Sequence, residues 1–229
     1  MRGMFDRIAG VYDLLNGVMS AGLHHRWRSR AVDLARVEPG SRVLDVATGT
    51  GDLALELARR VASGGEVVGS DFSEGMLARA RAKPRPAGVQ LRFEWGDALA
   101  LPYETDSFDA ATVGFGARNF SDLGRGLAEM VRVVRPGGRV VVLDFTTPTR
   151  PPLSFFYRVW FDRAVPVLGR LAGDPDAYAY LPASVKRFPP PAVLAREFER
   201  AGLTDIGYLL TAGGIVTIHA GTVPLGEAG

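Results

Sequence analysis

The chain is 229 residues long, 47% hydrophobic, with a formal net charge of +2. That is enough to bury one substantial core, so a single domain over 1–229 is expected, and the near-neutral charge gives no sign of a nucleic-acid partner. No cysteine is present, which excludes disulfides and thiolate chemistry, and three histidines (His24, His25, His219) are too few to suggest a metal site.

In chain order, residues 4 to 19 carry Phe5, Ile8, Tyr12, Leu15 and Met19 at three- and four-residue steps, the pattern of an amphipathic helix. Polar and charged residues interrupt this stretch too often for a signal peptide. A second helix is expected from Leu23 to Val37, ended by Pro39-Gly40. These two form an N-terminal helical lid, 1–38. Strands and helices then alternate over 39–148. "RVLDVA" is the first strand and 52–62 its helix. "EVVGSD" is the second strand, followed by a helix from Ser73 to Lys83. "VQLRFEWGD" is the third, and "FDAATVG" the fourth, with a helix opening near Ser121. "PGG" turns the chain into a fifth strand, "RVVVLDF". Short apolar strands separated by helices predict an α/β fold, a doubly wound, mostly parallel sheet covered on both faces. A region of different character, 149–190, is rich in aromatics and arginine. A helix near 191–201 and the strands "DIGYLLT" and "GIVTIHAGT" complete a seven-stranded sheet as a hairpin at one edge. The tail after Pro224 is expected to fray. No apolar run approaches the ~20 residues of a membrane-spanning helix, so a cytoplasmic protein is expected.

"VLDVATGTGDLALELA", residues 43–58, carries a glycine loop between the first strand and its helix. It fits a dinucleotide fingerprint, with Ala54 in the third glycine position and Asp71 about twenty residues on. The charges argue otherwise. Asp45 precedes the loop and Asp52 follows it, and each carboxylate would repel a phosphate charge by roughly 4 kcal/mol at surface-like dielectric. A ligand with an ammonium, a sulfonium and a ribose suits the site better, and S-adenosyl-L-methionine has all three. Asp52 capping its helix is the plainer reading, but it leaves Asp45 unexplained.

Asp45, Asp71, Asp97, Gly114 and Asp144 all fall at strand ends, where doubly wound sheets bind ligands. Asp71, with Phe72 after it, is placed to accept both ribose hydroxyls; a helix-capping Asp is the alternative. Gly49, Thr50 and Gly51 let the backbone approach the methionine part. Met76 is as compatible with helix core as with an adenine contact.

The motifs "LDVATGTGD", "GSDFSEGML" and "GDALALPYETDSFD" resemble those of class I S-adenosylmethionine methyltransferases. "MFDRIAGVYDLLNGVMSAGLHHRWR", "GFGARNFSD", "RVVRPGGRVVVLDF" and "YLPASVKRFP" are more specific. From Met4 to Gly221 the chain resembles the C-methyltransferases of menaquinone and ubiquinone biosynthesis. It departs from them in Ala117 for Leu and Asp144 for Glu. Gly114, where ubiquinone-type members often have Ser, tilts the resemblance toward the demethylmenaquinone type. The resemblance implies that Asp97 and Ala98 read adenine and that Gly114 meets the cofactor ammonium. It implies that Arg118 and Asn119 belong to the quinol pocket, and that Tyr12 and Asn16, one helical turn apart, contact the same substrate. Alternatives are a surface pair of Arg118 with Asp122, and core packing for Tyr12. No strong side-chain base is evident.

The implied partner is a lipophilic quinol, with methylation at a ring carbon and no metal. Phe155, Phe156, Trp160 and Phe161 beside several arginines fit a prenyl-tail lining, a peripheral contact with the inner membrane face, or an ordinary lid or homodimer helix. A methyltransferase of soluble phenols, the ubiquinone-pathway benzoquinol step, a dinucleotide oxidoreductase and a non-catalytic cofactor-binding protein remain as competing functions.

Overall fold

The computed structural model describes residues 22–148 and 183–226. The expected helix over 4–19, with Tyr12 and Asn16, and the aromatic stretch at 150–172 lie outside the described residues. Helix α1 spans His24–Leu34, then β1 Arg42–Val46, α2 Asp52–Val61, β2 Glu66–Asp71, α3 Glu74–Ala82 and β3 Gln90–Trp95. They are followed by β4 Phe108–Gly114, a 3-10 turn Ala117–Asn119, α4 Leu123–Val133, β5 Val134–Phe145, α5 Pro191–Arg200, β6 Thr204–Thr211 and β7 Val216–Thr222.

The seven strands form one sheet in the order β3-β2-β1-β4-β5-β7-β6. β1 is parallel to β2 and β4, β2 to β3, and β4 to β5, whereas β7 runs antiparallel to β5 and β6. The C-terminal hairpin therefore closes one edge, as its pattern predicts, with its second strand inside and its first at the rim. Both faces are covered. Val43 of β1 and Val141 and Leu143 of β5 pack with α1, α2 and α3, while Leu44, Val46, Val140 and Val142 pack with α4 and α5. Period-two alternation thus sends residues of the central strands β1, β2, β4 and β5 into two apolar clusters. This is why the strands read as continuous apolar runs.

Several boundaries differ from expectation: β3, expected to run through Asp97, stops at Trp95, and three more differences have a clear cause. α1 stops at Leu34 rather than Val37, because Arg36 turns left-handed (φ 50°). α4 opens at Leu123, capped by the Asp122 carboxylate, which accepts from Arg125 N at 2.9 Å. β5 begins at Val134, before Pro136-Gly137-Gly138 rather than after it. Its register against β4 jumps from Phe108↔Val134 to Ala110↔Arg139, so "PGG" is an irregularity inside the strand. Gly138 is required there, since a Cβ would lie 2.5 Å from Asp109 O.

The chain runs outward from β1 through β2 to β3, then crosses back to place β4 on the other side of β1. The carboxyl ends of β1 and β4 therefore flank the point where strand order reverses, the usual ligand position in such sheets.

Candidate active site

A cleft of about 370 Å³ opens at that point, within the range of small-molecule sites. It is lined by the loop after β1 (Ala47, Thr48, Gly49, Thr50), by Asp71, Phe72 and Met76, and by Trp95, Asp97 and Ala98. Gly114, Phe115, Gly116, Asn119 and Phe120 form the opposite side. Of the residues the sequence singled out, Asp45, Gly49, Thr50, Asp71, Phe72, Met76, Asp97, Ala98, Gly114 and Asn119 all border this one cleft.

The loop is built by local geometry. Gly49 and Gly51 have φ of 56° and 82°, left-handed conformations that suit glycine. A Cβ on Gly51 would also lie 2.7 Å from the Phe93 ring, so Gly51 lets α2 approach the sheet rather than lining the cleft itself. Two non-glycine residues at the cleft are left-handed as well: Ala47 (φ 50°) just after β1 and Phe115 (φ 58°) just after β4. Such strain costs on the order of 1–3 kcal/mol each and concentrates at ligand sites. Both line the cleft.

Asp71 ends β2 with both carboxylate oxygens positioned by backbone. Oδ2 accepts from Gly49 N at 2.8 Å and Oδ1 from Ser73 N at 2.9 Å. The helix cap itself is Ser73, whose hydroxyl accepts from Met76 N. A carboxylate has about four acceptor sites, so these two bonds leave capacity for ribose hydroxyls. Asp97 is exposed and accepts from Leu99 N at 2.9 Å.

Asp45 is fully buried, and its oxygens accept from Thr48 Oγ1 (2.6 Å) and Thr112 Oγ1 (2.8 Å). Burial pushes its pKa up to about 6, against the opposing pull of the two hydroxyls and of Arg28. Asp52 is held at 2.9 Å by Arg28 and at 2.5 Å by Lys83, whose ammonium also donates to Thr50 Oγ1 at 3.1 Å. Burial raises the Asp52 pKa, but the two cations outweigh it and the net shift is down. Asp52 is therefore charge-compensated, which corrects its assumed repulsion of phosphate. The case against a phosphate ligand rests instead on Gly49: its N–H, the kind of donor a phosphate loop would offer, is already taken by the Asp71 carboxylate.

Arg118 departs most from expectation. It does not pair with Asp122 and is not among the cleft-lining residues. Its side chain is 6% exposed, and Nη1 bonds Asp144 Oδ1 at 2.8 Å. The same carboxylate accepts from Arg118 N at 3.1 Å and Phe145 N at 2.7 Å, and the guanidinium lies 5.4 Å from the centre of the Phe145 ring. Asp144, seen in sequence only as a strand end and a departure from Glu, thus anchors the loop after β4.

Sequence reasoning missed Arg28, Trp95, Phe115 and Phe120 in the lining. Trp95 had a legible signal: it sits opposite Asp71 in the β2–β3 register and is 49% exposed at a strand end. Arg28 is an arginine on the buried face of α1, one place from Trp27, and only the tertiary contact reveals its use. Among the described residues no cluster of three or more potential ligands is placed to hold a metal, and no helix is long and apolar enough to cross a membrane.

A seven-stranded sheet with β7 reversed, carrying an acidic, glycine-framed cleft at the β1–β4 switch, defines a Rossmann-like methyltransferase of the S-adenosylmethionine-dependent class. A SAM-dependent methyltransferase from Thermotoga maritima shares this fold, with a TM-score of 0.66 and 21% identity over 97% of this chain and 99% of its own. The chain belongs to the ubiE/COQ5 methyltransferase family, whose pattern it matches over residues 1–223. It is similar to the demethylmenaquinone methyltransferase of Thermus thermophilus, at 50% identity over 96% of this chain and 100% of the relative. It is also similar to the ubiquinone/menaquinone biosynthesis C-methyltransferase of Geobacter sulfurreducens, at 43% identity over 100% of this chain and 88% of the relative.

Proposed function

We propose that the protein transfers a methyl group from S-adenosylmethionine to a ring carbon of demethylmenaquinol. The observation that carries this is the end-to-end match to a demethylmenaquinone methyltransferase at 50% identity. The residues present fit the cofactor. Asp71 offers carboxylate oxygens for a ribose, and Asp45 places a buried acid beside a ligand that bears positive charge. Gly49 leaves open space where a side chain would intrude.

When bound, the cofactor supplies an electrophilic methyl on a sulfonium. The protein's work is alignment and exclusion of water. Leu53, Phe115 and Phe120 give the cleft apolar walls, and Asn119 brings a polar amide to the same rim. Asn119 is thereby the described residue best placed to hydrogen-bond a quinol oxygen, and Arg118 holds the loop that presents it. Negative charge on that oxygen would raise electron density at the ring carbon; the C–CH3 bond would form as the S–CH3 bond breaks, leaving neutral S-adenosylhomocysteine, and the ring C–H proton would pass to solvent as the ring regains aromaticity. Outside the described residues, Tyr12 and Asn16 are retained as further acceptor contacts. The acceptor's prenyl tail resides in a bilayer, which calls for peripheral contact with the membrane face.

An electron-poor quinone cannot donate to the methyl, so turnover should require reductant. Methyl incorporation into demethylmenaquinone is expected with dithionite and not without it; equal rates would refute the mechanism. The Geobacter relative's name also favours a benzoquinol acceptor. Parallel assays with a demethylated benzoquinol and with soluble phenols decide between acceptors.

A further inference from the structure

We propose that Arg28 binds the α-carboxylate of S-adenosylmethionine, with Asp52 as the residue that positions it. This inference rests on the cofactor reading above. Arg28 projects from α1 into the cleft lining with its side chain 8% exposed. One end of the guanidinium is fixed, Nη2 to Asp52 Oδ2 at 2.9 Å. The other, Nη1, is buried and has no hydrogen-bond partner among the described residues. A buried guanidinium N–H without an acceptor is costly, and native structures rarely keep one unless a ligand supplies the partner.

The protein's neighbouring acids do not supply it. Asp52 gives one oxygen to Arg28 Nη2 and the other to Lys83, and both oxygens of Asp45 accept threonine hydroxyls. The missing acceptor is therefore a group of the ligand, and a guanidinium matches a carboxylate best. S-adenosylmethionine has one anionic group, the carboxylate of its methionyl end. Lys83 completes the design by balancing Asp52, so that the acid which orients Arg28 does not repel the ligand's acid. Signs are then segregated across the cleft, with Arg28 against the α2 side, Asp71 at the end of β2 and Asp97 just past β3.

The test compares S-adenosylmethionine with decarboxylated S-adenosylmethionine, which keeps the adenosine, sulfonium and ammonium and lacks only the carboxylate. Calorimetry on the full chain should show the wild type preferring the carboxylated ligand by ~10- to 100-fold, as for a hydrogen bond to a charged group. In Arg28→Ala that preference should shrink to within threefold, with affinity for the decarboxylated ligand unchanged. Equal weakening of both ligands would mean that Arg28 only braces α1, and an unchanged preference would place the carboxylate elsewhere; either overturns the proposal. If Arg28→Ala does not fold, Arg28→Lys serves, since it keeps the charge and loses the fork. It should lose affinity for the carboxylated ligand alone, and equal loss for both again overturns the proposal. A wild type with no affinity for S-adenosylmethionine would instead defeat the cofactor assignment itself.

Discussion

Replacing Arg118 separates two accounts of the loop after β4. On the sequence reading, Arg118 faces the acceptor, and Arg118→Ala should lower kcat by ~10²-fold with little effect on stability, as loss of an oxyanion donor does. The structure puts the guanidinium in a buried pair instead, with 6% of the Arg118 side chain and none of Asp144 exposed. Removing one partner of such a pair leaves a buried charge uncompensated, at a cost of about 3–5 kcal/mol. Asp144 would keep two backbone donors, Arg118 N and Phe145 N, which argues for the lower end of that range. Loss of the guanidinium from the Phe145 ring adds about 0.5–1 kcal/mol. For a chain of this length 1 kcal/mol corresponds to roughly 2–4 °C, so a loss of about 3.5–4 kcal/mol should lower Tm by about 7–16 °C. The double variant Arg118→Ala/Asp144→Asn removes the orphaned charge and should recover about half of the loss. Scanning calorimetry and single-turnover kinetics on the same variants decide. A Tm within 2 °C of wild type, with kcat down a hundredfold, would return Arg118 to the acceptor and refute the buried-pair argument.

Asp71→Ala should weaken S-adenosylmethionine binding by about 1.5–3 kcal/mol, because it removes acceptors held by Gly49 and Ser73; calorimetry showing unchanged affinity would remove Asp71 from the site. Gly51→Ala should cost roughly 2–4 kcal/mol of stability in urea unfolding, since φ is 82° and the new Cβ would meet the Phe93 ring; a loss under 0.5 kcal/mol would contradict that packing. His219 is buried, with its pKa lowered to about 4 by desolvation, so the unfolded chain takes up its proton first. Stability present above pH 6.5 is lost as pH falls toward 4, by about 3 kcal/mol. Asp45 works in the opposite sense: its folded pKa is raised to about 6 from 3.8, so falling pH through that window stabilises the fold. Urea midpoints between pH 4 and 7 should therefore fall more steeply with acid in Asp45→Asn than in wild type, and parallel profiles would show that Asp45 does not titrate there.

The features most legible in sequence were those fixed by local chemistry. Period-two and helical spacing gave the alternation of strands and helices, and acids and glycines at strand ends gave Asp45, Gly49, Asp71, Asp97 and Gly114 of the cleft lining. What stayed hidden depends on partners distant in sequence. Nothing near Arg118 reveals that Asp144, 26 residues on, takes its charge, and the nearer Asp122 is used as a helix cap. Ala47 and Phe115 carry no mark of their left-handed backbone, because neither residue type favours it. The "PGG" turn was misread for the opposite reason. Its local signal is strong, yet pairing of Val134 with Phe108 draws the strand past it.

Two acids around a glycine loop read as repulsive to phosphate, and one of them, Asp52, is balanced by Arg28 and Lys83. Asp71 reaches the same conclusion more directly, because its carboxylate occupies the Gly49 N–H. A pyrophosphate would have to displace an acid fixed by two backbone bonds and then sit beside it. A ribose hydroxyl is instead a donor that such an acid attracts. In the proposed binding mode the contact that shapes the loop also selects the ligand: Asp71, by occupying the Gly49 N–H, would turn a phosphate-type glycine turn into one that takes a neutral sugar, leaving the charged end of the ligand to the Arg28 side of the cleft.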